Sequence, residues 1–170
     1  MDTSEWISFL IEQYERPLCR YAYSLTRSVS SAQDAVQETF MRLCKASRAK
    51  VEGHEAAWLF RVCRSRVIDM QRKEKPMNSL TPVDVNTLAA PDLSPDDTAA
   101  AADTTQWILR LIGRLPERQS EIIRLKFQQG LSYREIAGVM NLSESNVGLL
   151  IHTGIKALRQ EVNELEGVMS

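Results

Sequence analysis

Residues 131–158 read LSYREIAGVMNLSESNVGLLIHTGIKAL, and the reading of the fold starts there. Ser132-Tyr133-Arg134-Glu135 has the form of a capping box opening a short helix, with Ile136, Ala137 and Met140 on its inner face. Asn141 falls where the chain must turn sharply, and Asn tolerates the left-handed conformation better than most residues. Leu142 follows, and Ser143 caps a longer helix whose inward positions are Val147, Leu150, Ile151, Ile155 and Leu158. Two helices joined by a tight turn, with small Ala137 at their crossing, give the helix-turn-helix pattern; an αα-hairpin in an ordinary bundle is the alternative. Under the first reading Glu144, Ser145, Asn146, Gly148, Leu149, His152 and Lys156 point outward, toward the major groove or its rim.

The flanking sequence is helical as well. Upstream, Trp107, Ile108, Leu111, Ile112 and Leu115 make one amphipathic stripe. Pro116 suits the first turn of the next helix, which buries Ile122, Ile123 and Phe127 and stops at Gly130. Near the start, Trp6, Phe9, Leu10, Gln13 and Tyr14 lie at helical spacing, as do Leu18, Tyr21, Ala22 and Leu25. Ser30 or Ser31 can cap a following helix, with Gln33 or Asp34 reciprocating and Ala35, Val36, Thr39, Phe40 and Leu43 buried. A further helix spans about Glu55 to Lys73, with Trp58, Leu59, Val62, Val67 and Met70 inward. No stretch alternates with period two, so the chain is predicted to be all-α.

Charge divides the 170 residues, whose formal balance is −1. Residues 1–75 hold 13 basic and 10 acidic groups, residues 76–104 hold 5 acidic and no basic groups, and residues 105–170 hold 8 and 7. Pro76, Pro82, Pro91 and Pro95 also fall in the middle block, which is too poor in apolar surface to fold alone. The expectation is two small helical domains, 1–75 and 105–170, joined by a flexible acidic linker. Near-neutrality excludes a protein held to nucleic acid by bulk charge alone. Cys19, Cys44 and Cys63 contain no CxxC pair, which argues against a zinc site or disulfide scaffold and for reduced thiols packed as small apolar groups. No apolar run approaches membrane-span length and the start lacks an export-signal pattern, so a soluble intracellular protein is expected.

Two surfaces stand out in the first half. Arg61, Arg64, Arg66, Arg72, Lys73 and Lys75 face only Asp69 and Glu74, with Trp58 and Phe60 just ahead. Cations that track phosphates and rings that stack on unpaired bases suit single-stranded nucleic acid; a solvated basic face with Trp58 in the core is the other reading. Asp34 and Glu38 share a helical face, but no His completes a metal site at the usual spacing, so an acidic strip for docking a basic partner fits better than a catalytic pair. No metal, cofactor or catalytic residue is assigned.

At this point the residues are recognisable. DAVQETFMRL (34–43) and AWLFRVCRSRVID (57–69) resemble region 2 of bacterial sigma factors, and LPERQ (115–119) with GLSYREIA (130–137) resembles region 4. Two such regions across a short acidic tether resemble the extracytoplasmic-function (ECF) group of the sigma-70 family. The resemblance implies a non-enzymatic, cytoplasmic subunit that binds core RNA polymerase and promoter DNA, and many members also pair with an anti-sigma factor. It implies docking on clamp helices of the largest catalytic polymerase subunit through Asp34, Gln37, Glu38 and Arg42. The loop Lys50–His54 would capture an extruded base of the minus-ten element, with Trp58, Arg61, Arg64, Arg66, Arg72 and Lys73 on the melted strand.

Where members carry Thr-Val-Lys-Ser-Arg in the recognition helix, this chain has Asn146-Val147-Gly148-Leu149-Leu150, and no Lys or Arg lies between Arg134 and Lys156. Readout of the minus-thirty-five element then falls to Ser143, Ser145, Asn146, Gly148, Leu149 and His152, with Arg118, Arg124, Lys126 and Lys156 flanking. Exposed Leu149 could meet a thymine methyl or a protein. A free-standing helix-turn-helix regulator, binding an operator without polymerase, is the competing function.

Overall fold

In the computed structural model, which describes residues 1–74 and 99–169, helix α1 (Thr3–Thr26) begins where Asp2 and Glu5 close a capping box. Each carboxylate accepts the other residue's amide at 2.9 Å. The two spaced runs read from the sequence form this one helix, which continues through Pro17. It ends at Arg27, whose left-handed backbone (φ 57°) turns the chain and whose amide bonds to the Tyr23 carbonyl. Ser28 is then the first residue in extended backbone, so its hydroxyl, rather than that of Ser30 or Ser31, caps helix α2 (Val29–Lys45) by accepting the Ser31 amide at 3.2 Å. Helix α3 (Glu55–Glu74) closes a three-helix unit in which each helix packs on the other two.

The core of this unit is Leu18, Tyr21 and Ala22 from α1, Ala35, Val36, Thr39 and Leu43 from α2, and Leu59, Phe60, Cys63 and Val67 from α3. Phe60 corrects the sequence reading: it is 1% exposed, edge-on to Tyr21 with centroids 5.3 Å apart. Positions 59/60, 63 and 67 are separated by three to four residues and so share the inner face, which leaves Trp58, Val62 and Met70 half-buried at its border. The cysteines differ among themselves: Cys63 is buried, Cys19 half-buried and Cys44 exposed. Burial pushes the Cys63 thiol up from 9.0 to about 12, against a lowering hydrogen bond from Thr39 and with a small raising contribution from Cys19.

Among the described residues the second compact unit opens with α4 (Ala99–Gly113); residues 75–98, most of the stretch read as linker, lie outside the described residues. Leu111, Ile112 and Leu115 of the expected stripe are buried, but Trp107 and Ile108 are 38% and 45% exposed. Pro116 stands just before α5 (Glu117–Ile123), which runs into a wide π-type turn, Arg124–Gln128, closed by the Gln129 amide on the Arg124 carbonyl. That turn carries Phe127 off the core face to 61% exposure, and Leu125 is buried instead. Gly130 (φ 69°) then ends the segment, and the Leu131 amide bonds to the Leu125 carbonyl six residues back, one residue wider than a Schellman closure.

Helix α6 (Tyr133–Met140) opens on the Ser132–Glu135 capping box, and Asn141 (φ 55°) turns the chain into α7 (Glu144–Met169), as expected from the sequence. Ala137 is half-buried; the tight approach in this unit occurs elsewhere, at buried Gly154, where a Cβ would lie 2.6 Å from Ile123 Cδ1. There the Ile123 side chain of α5 packs directly onto the backbone of α7.

Two outcomes follow from this packing. Gly154→Val inserts three carbons against buried Ile123, so it lowers stability by about 1–3 kcal/mol despite the better helix propensity of Val, read as a fall in the urea midpoint; an unchanged midpoint contradicts the close crossing. For Cys63, folded and unfolded thiols both hold their proton below pH 9, so its contribution to stability is intact there. Between pH 9 and about 12 the unfolded thiol ionises while the folded one does not, and that contribution is lost. Urea titrations across this window should show a steeper loss for the native chain than for Cys63→Ala.

Candidate nucleic-acid and polymerase interfaces

On α2 the outward residues are set by what the inner face must bury. Asp34, Gln37, Met41 and Arg42 are exposed and Glu38 is half-buried, opposite the Ala35–Val36–Thr39–Leu43 face. Glu38 Oε1 accepts Arg42 Nε at 3.3 Å, an exposed i,i+4 pair of the kind worth well under about 1 kcal/mol. The pair therefore leaves both charges available to a partner at little cost. Among the described residues no cluster of three or more His, Cys, Asp or Glu side chains assembles for a metal.

Between α2 and α3 the chain makes a short 3-10 turn, Arg48–Lys50, and then the loop to His54. Val51 is buried and plugs the loop onto the unit, while Lys50, Gly53 and His54 are exposed. Gly53 adopts φ 92°, and its amide donates to Glu55 Oε1 at 3.0 Å. Arg48, which the sequence reading passed over, lies over the Trp6 ring at 5.1 Å from its centroid and pairs with Glu52 at 2.7 Å. Its other guanidinium nitrogen donates to the Met1 carbonyl at 3.1 Å, so one side chain ties this loop to the start of α1.

Along α3, Arg61 and Arg72 are both exposed and stand eleven residues apart, three turns on one face away from the core. Trp58, one turn before Arg61, is half-buried and shares that side. Arg64 is half-buried. Arg66 falls five residues past Arg61, toward the buried side beside Val67; it is half-buried and its Nε is enclosed with no hydrogen-bond partner. Lys73 is exposed, and Lys75 lies outside the described residues. Thus the basic run seen in the sequence is not one surface: Arg61 and Arg72 make its open face, and Phe60 is absent from it.

In the second unit, Ser143 accepts the Asn146 amide at 3.1 Å and so is committed to capping α7. Ser145, Leu149, His152 and Lys156 recur at four, three and four residues and are all exposed, Leu149 at 59%. Asn146 and Gly148 are half-buried. Gly148 lies against the Tyr133 ring, and Lys126 Nζ lies 5.2 Å from the centroid of that same ring. Arg118 is exposed on the first turn of α5, and neighbouring Gln119 donates to Thr153 Oγ1 at 3.0 Å, tying that turn to mid-α7; Arg124 and Lys126 are half-buried on the wide turn. The sequence reading missed Tyr133, Gln119 and Gly154. Only the last carried a signal, as a glycine inside a helical apolar pattern.

Comparison with known proteins is consistent with this arrangement. Residues 10–76 match the Sigma-70 region 2 family and residues 105–158 match Sigma-70, region 4. The chain is 30% identical over 160 residues to the ECF RNA polymerase sigma factor SigL of Mycobacterium tuberculosis (strain H37Rv), covering 92% of this chain and 88% of that one. It is 26% identical over 165 residues to the ECF RNA polymerase sigma factor SigW of Bacillus subtilis, again with 92% and 88% covered. The fold is similar to that of the sigma factor RpoE from Bartonella quintana, crystallised with the anti-sigma factor NepR, at a TM-score of 0.65 and 20% identity over 90% of this chain and 94% of that one. Both matched regions occur in one chain and in order, which a free-standing helix-turn-helix regulator does not require. The chain belongs to the ECF RNA polymerase sigma factors of the sigma-70 family, subunits that bind core polymerase and direct promoter-specific initiation.

Proposed function

We propose a division of this activity among the surfaces described above. The outward face of α2, with Asp34, Gln37, Glu38 and Arg42, docks on core polymerase. The loop Lys50–His54 and the open face of α3, with Trp58, Arg61 and Arg72, receive the melted minus-ten strand, and Lys73 lies at its margin. Arg64, half-buried like Trp58 and one turn past Arg61, joins that face, while Arg66, turned toward the buried side, contributes less to that strand than composition suggests. The outward face of α7, with Ser145, Asn146, Leu149, His152 and Lys156, faces the minus-thirty-five duplex, flanked by Arg118, Arg124 and Lys126. Residues 1–75 and 105–170 are the two working domains and 76–104 the acidic tether.

The observation that carries this reading is that Trp58, Arg61 and Arg72 share one side of α3 while a helix-turn-helix forms in a second unit. Each alone offers few cations, so useful grip on DNA comes when polymerase holds both at once. The chain performs no covalent chemistry in this scheme and works in the cytoplasm; no described helix is long and apolar enough to cross a membrane. An anti-sigma factor is a third partner, by analogy with the sigma factor whose fold this chain shares.

The central test is transcription by core polymerase with and without this chain on duplexes selected from a random pool; failure to add initiation refutes the assignment. Arg61→Ala with Arg72→Ala removes two exposed side chains, so folding and core binding should persist. Promoter opening, read by permanganate reactivity of unpaired thymines, should fall; equal loss of core binding would contradict the assigned role. Glu38→Lys should weaken core association roughly tenfold or more, because like charges facing each other across an interface cost several kcal/mol. Equal affinity in a fluorescence titration would place the docking surface elsewhere.

A further inference from the structure

The first two turns of α7 carry no cation, because no Lys or Arg lies between Arg134 and Lys156. A helix entering a groove meets phosphates along its flanks, and each neutralised phosphate contributes to affinity. In this chain a cation of the preceding wide turn lies on a ring that itself touches that part of α7. Lys126 Nζ lies over the Tyr133 ring at 5.2 Å from its centroid, and 3.4 Å from the Leu131 carbonyl. The ring in turn rests against Gly148: a Cβ there would sit 3.6 Å from Tyr133 Cε2 and 3.9 Å from Cδ2. The wide turn Arg124–Gln128 carries Lys126, and left-handed Gly130, with the Leu131 amide on the Leu125 carbonyl, brings Tyr133 back beside it.

We infer that Lys126, held on the Tyr133 ring over Gly148, supplies the phosphate-binding charge that the recognition helix itself lacks, with Tyr133 as its positioning residue. This rests on the reading that α7 faces the minus-thirty-five duplex, and it assigns Tyr133 and Gly148 a joint role. The ring desolvates one side of the ammonium and fixes its direction, so little side-chain freedom is left to lose when a phosphate is met. Gly148 gives the ring an open stretch of α7 backbone to lie against.

The experiment uses core polymerase reconstituted with the full chain, on a duplex that the wild-type holoenzyme selects from a random-sequence pool. Equilibrium binding is followed from about 50 to about 200 mM salt. Lys126→Met and Tyr133→Ala should each lower the slope of log affinity against log salt by about 0.9, which at fourfold salt is about a three- to fourfold difference in affinity change. The double variant should lose no more than either single one, and Tyr133→Phe, which keeps the ring, should restore the slope lost in Tyr133→Ala. An unchanged slope for Lys126→Met, or losses that sum in the double variant, overturns the inference even where thermal stability falls. A wild-type holoenzyme that selects no duplex overturns the proposed function itself, a separate result.

Discussion

Gly154 packs against the Ile123 side chain, where a Cβ would lie 2.6 Å from Cδ1, and the second unit depends on that crossing. With α7 laid directly on α5, Val147, Gly154 and Ile151 turn inward together and Ser145, Leu149, His152 and Lys156 are left outward. The outward set is therefore a consequence of packing on the opposite side of the same helix. The Gln119–Thr153 hydrogen bond then fixes the first turn of α5 beside mid-α7, next to exposed Arg118. Exposed Arg118 beside an outward helix face whose first turns carry no cation comes from one close contact between the Ile123 side chain and the α7 backbone.

The first unit solves a different problem with similar economy. Three helices must bury a core and still leave two working faces, one acidic and amphipathic on α2, one basic on α3. Buried Tyr21, Phe60 and Leu18 take the interior, and Val51 anchors the intervening loop so that its neighbours Lys50 and His54 stay outside. Arg48 joins that loop to α1 through the Trp6 ring and the Met1 carbonyl. The loop is thus braced from two sides while Lys50, Gly53 and His54 at its tip stay exposed.

Much of this was readable beforehand because it is local chemistry. The Ser132–Glu135 box, the left-handed Asn141 and the Ser143 cap each depend on residues within three positions of one another, and all three form as their spacing implies. Where the reading missed, the deciding partner was distant or the backbone departed from regular helix. Ser28 caps α2 because Arg27 ends α1 in a left-handed conformation that composition does not announce. Phe127 leaves the core because the turn after Ile123 is wider than an α-turn, and Phe60 enters it because Tyr21 waits for its ring.

The sequence by itself determined an all-α chain, the helix-turn-helix with its caps, and a recognition helix without early cations, since periodicity, capping residues and charge are written along the chain. Which cations remain open was decided by the tertiary structure. Arg61 and Arg72 stay on the solvent side of α3 while Arg66 is drawn toward the core, and Lys126 is laid on Tyr133 across Gly148. The reason is geometric: a helical repeat says which residues share a face, but only a neighbouring element says whether that face is covered.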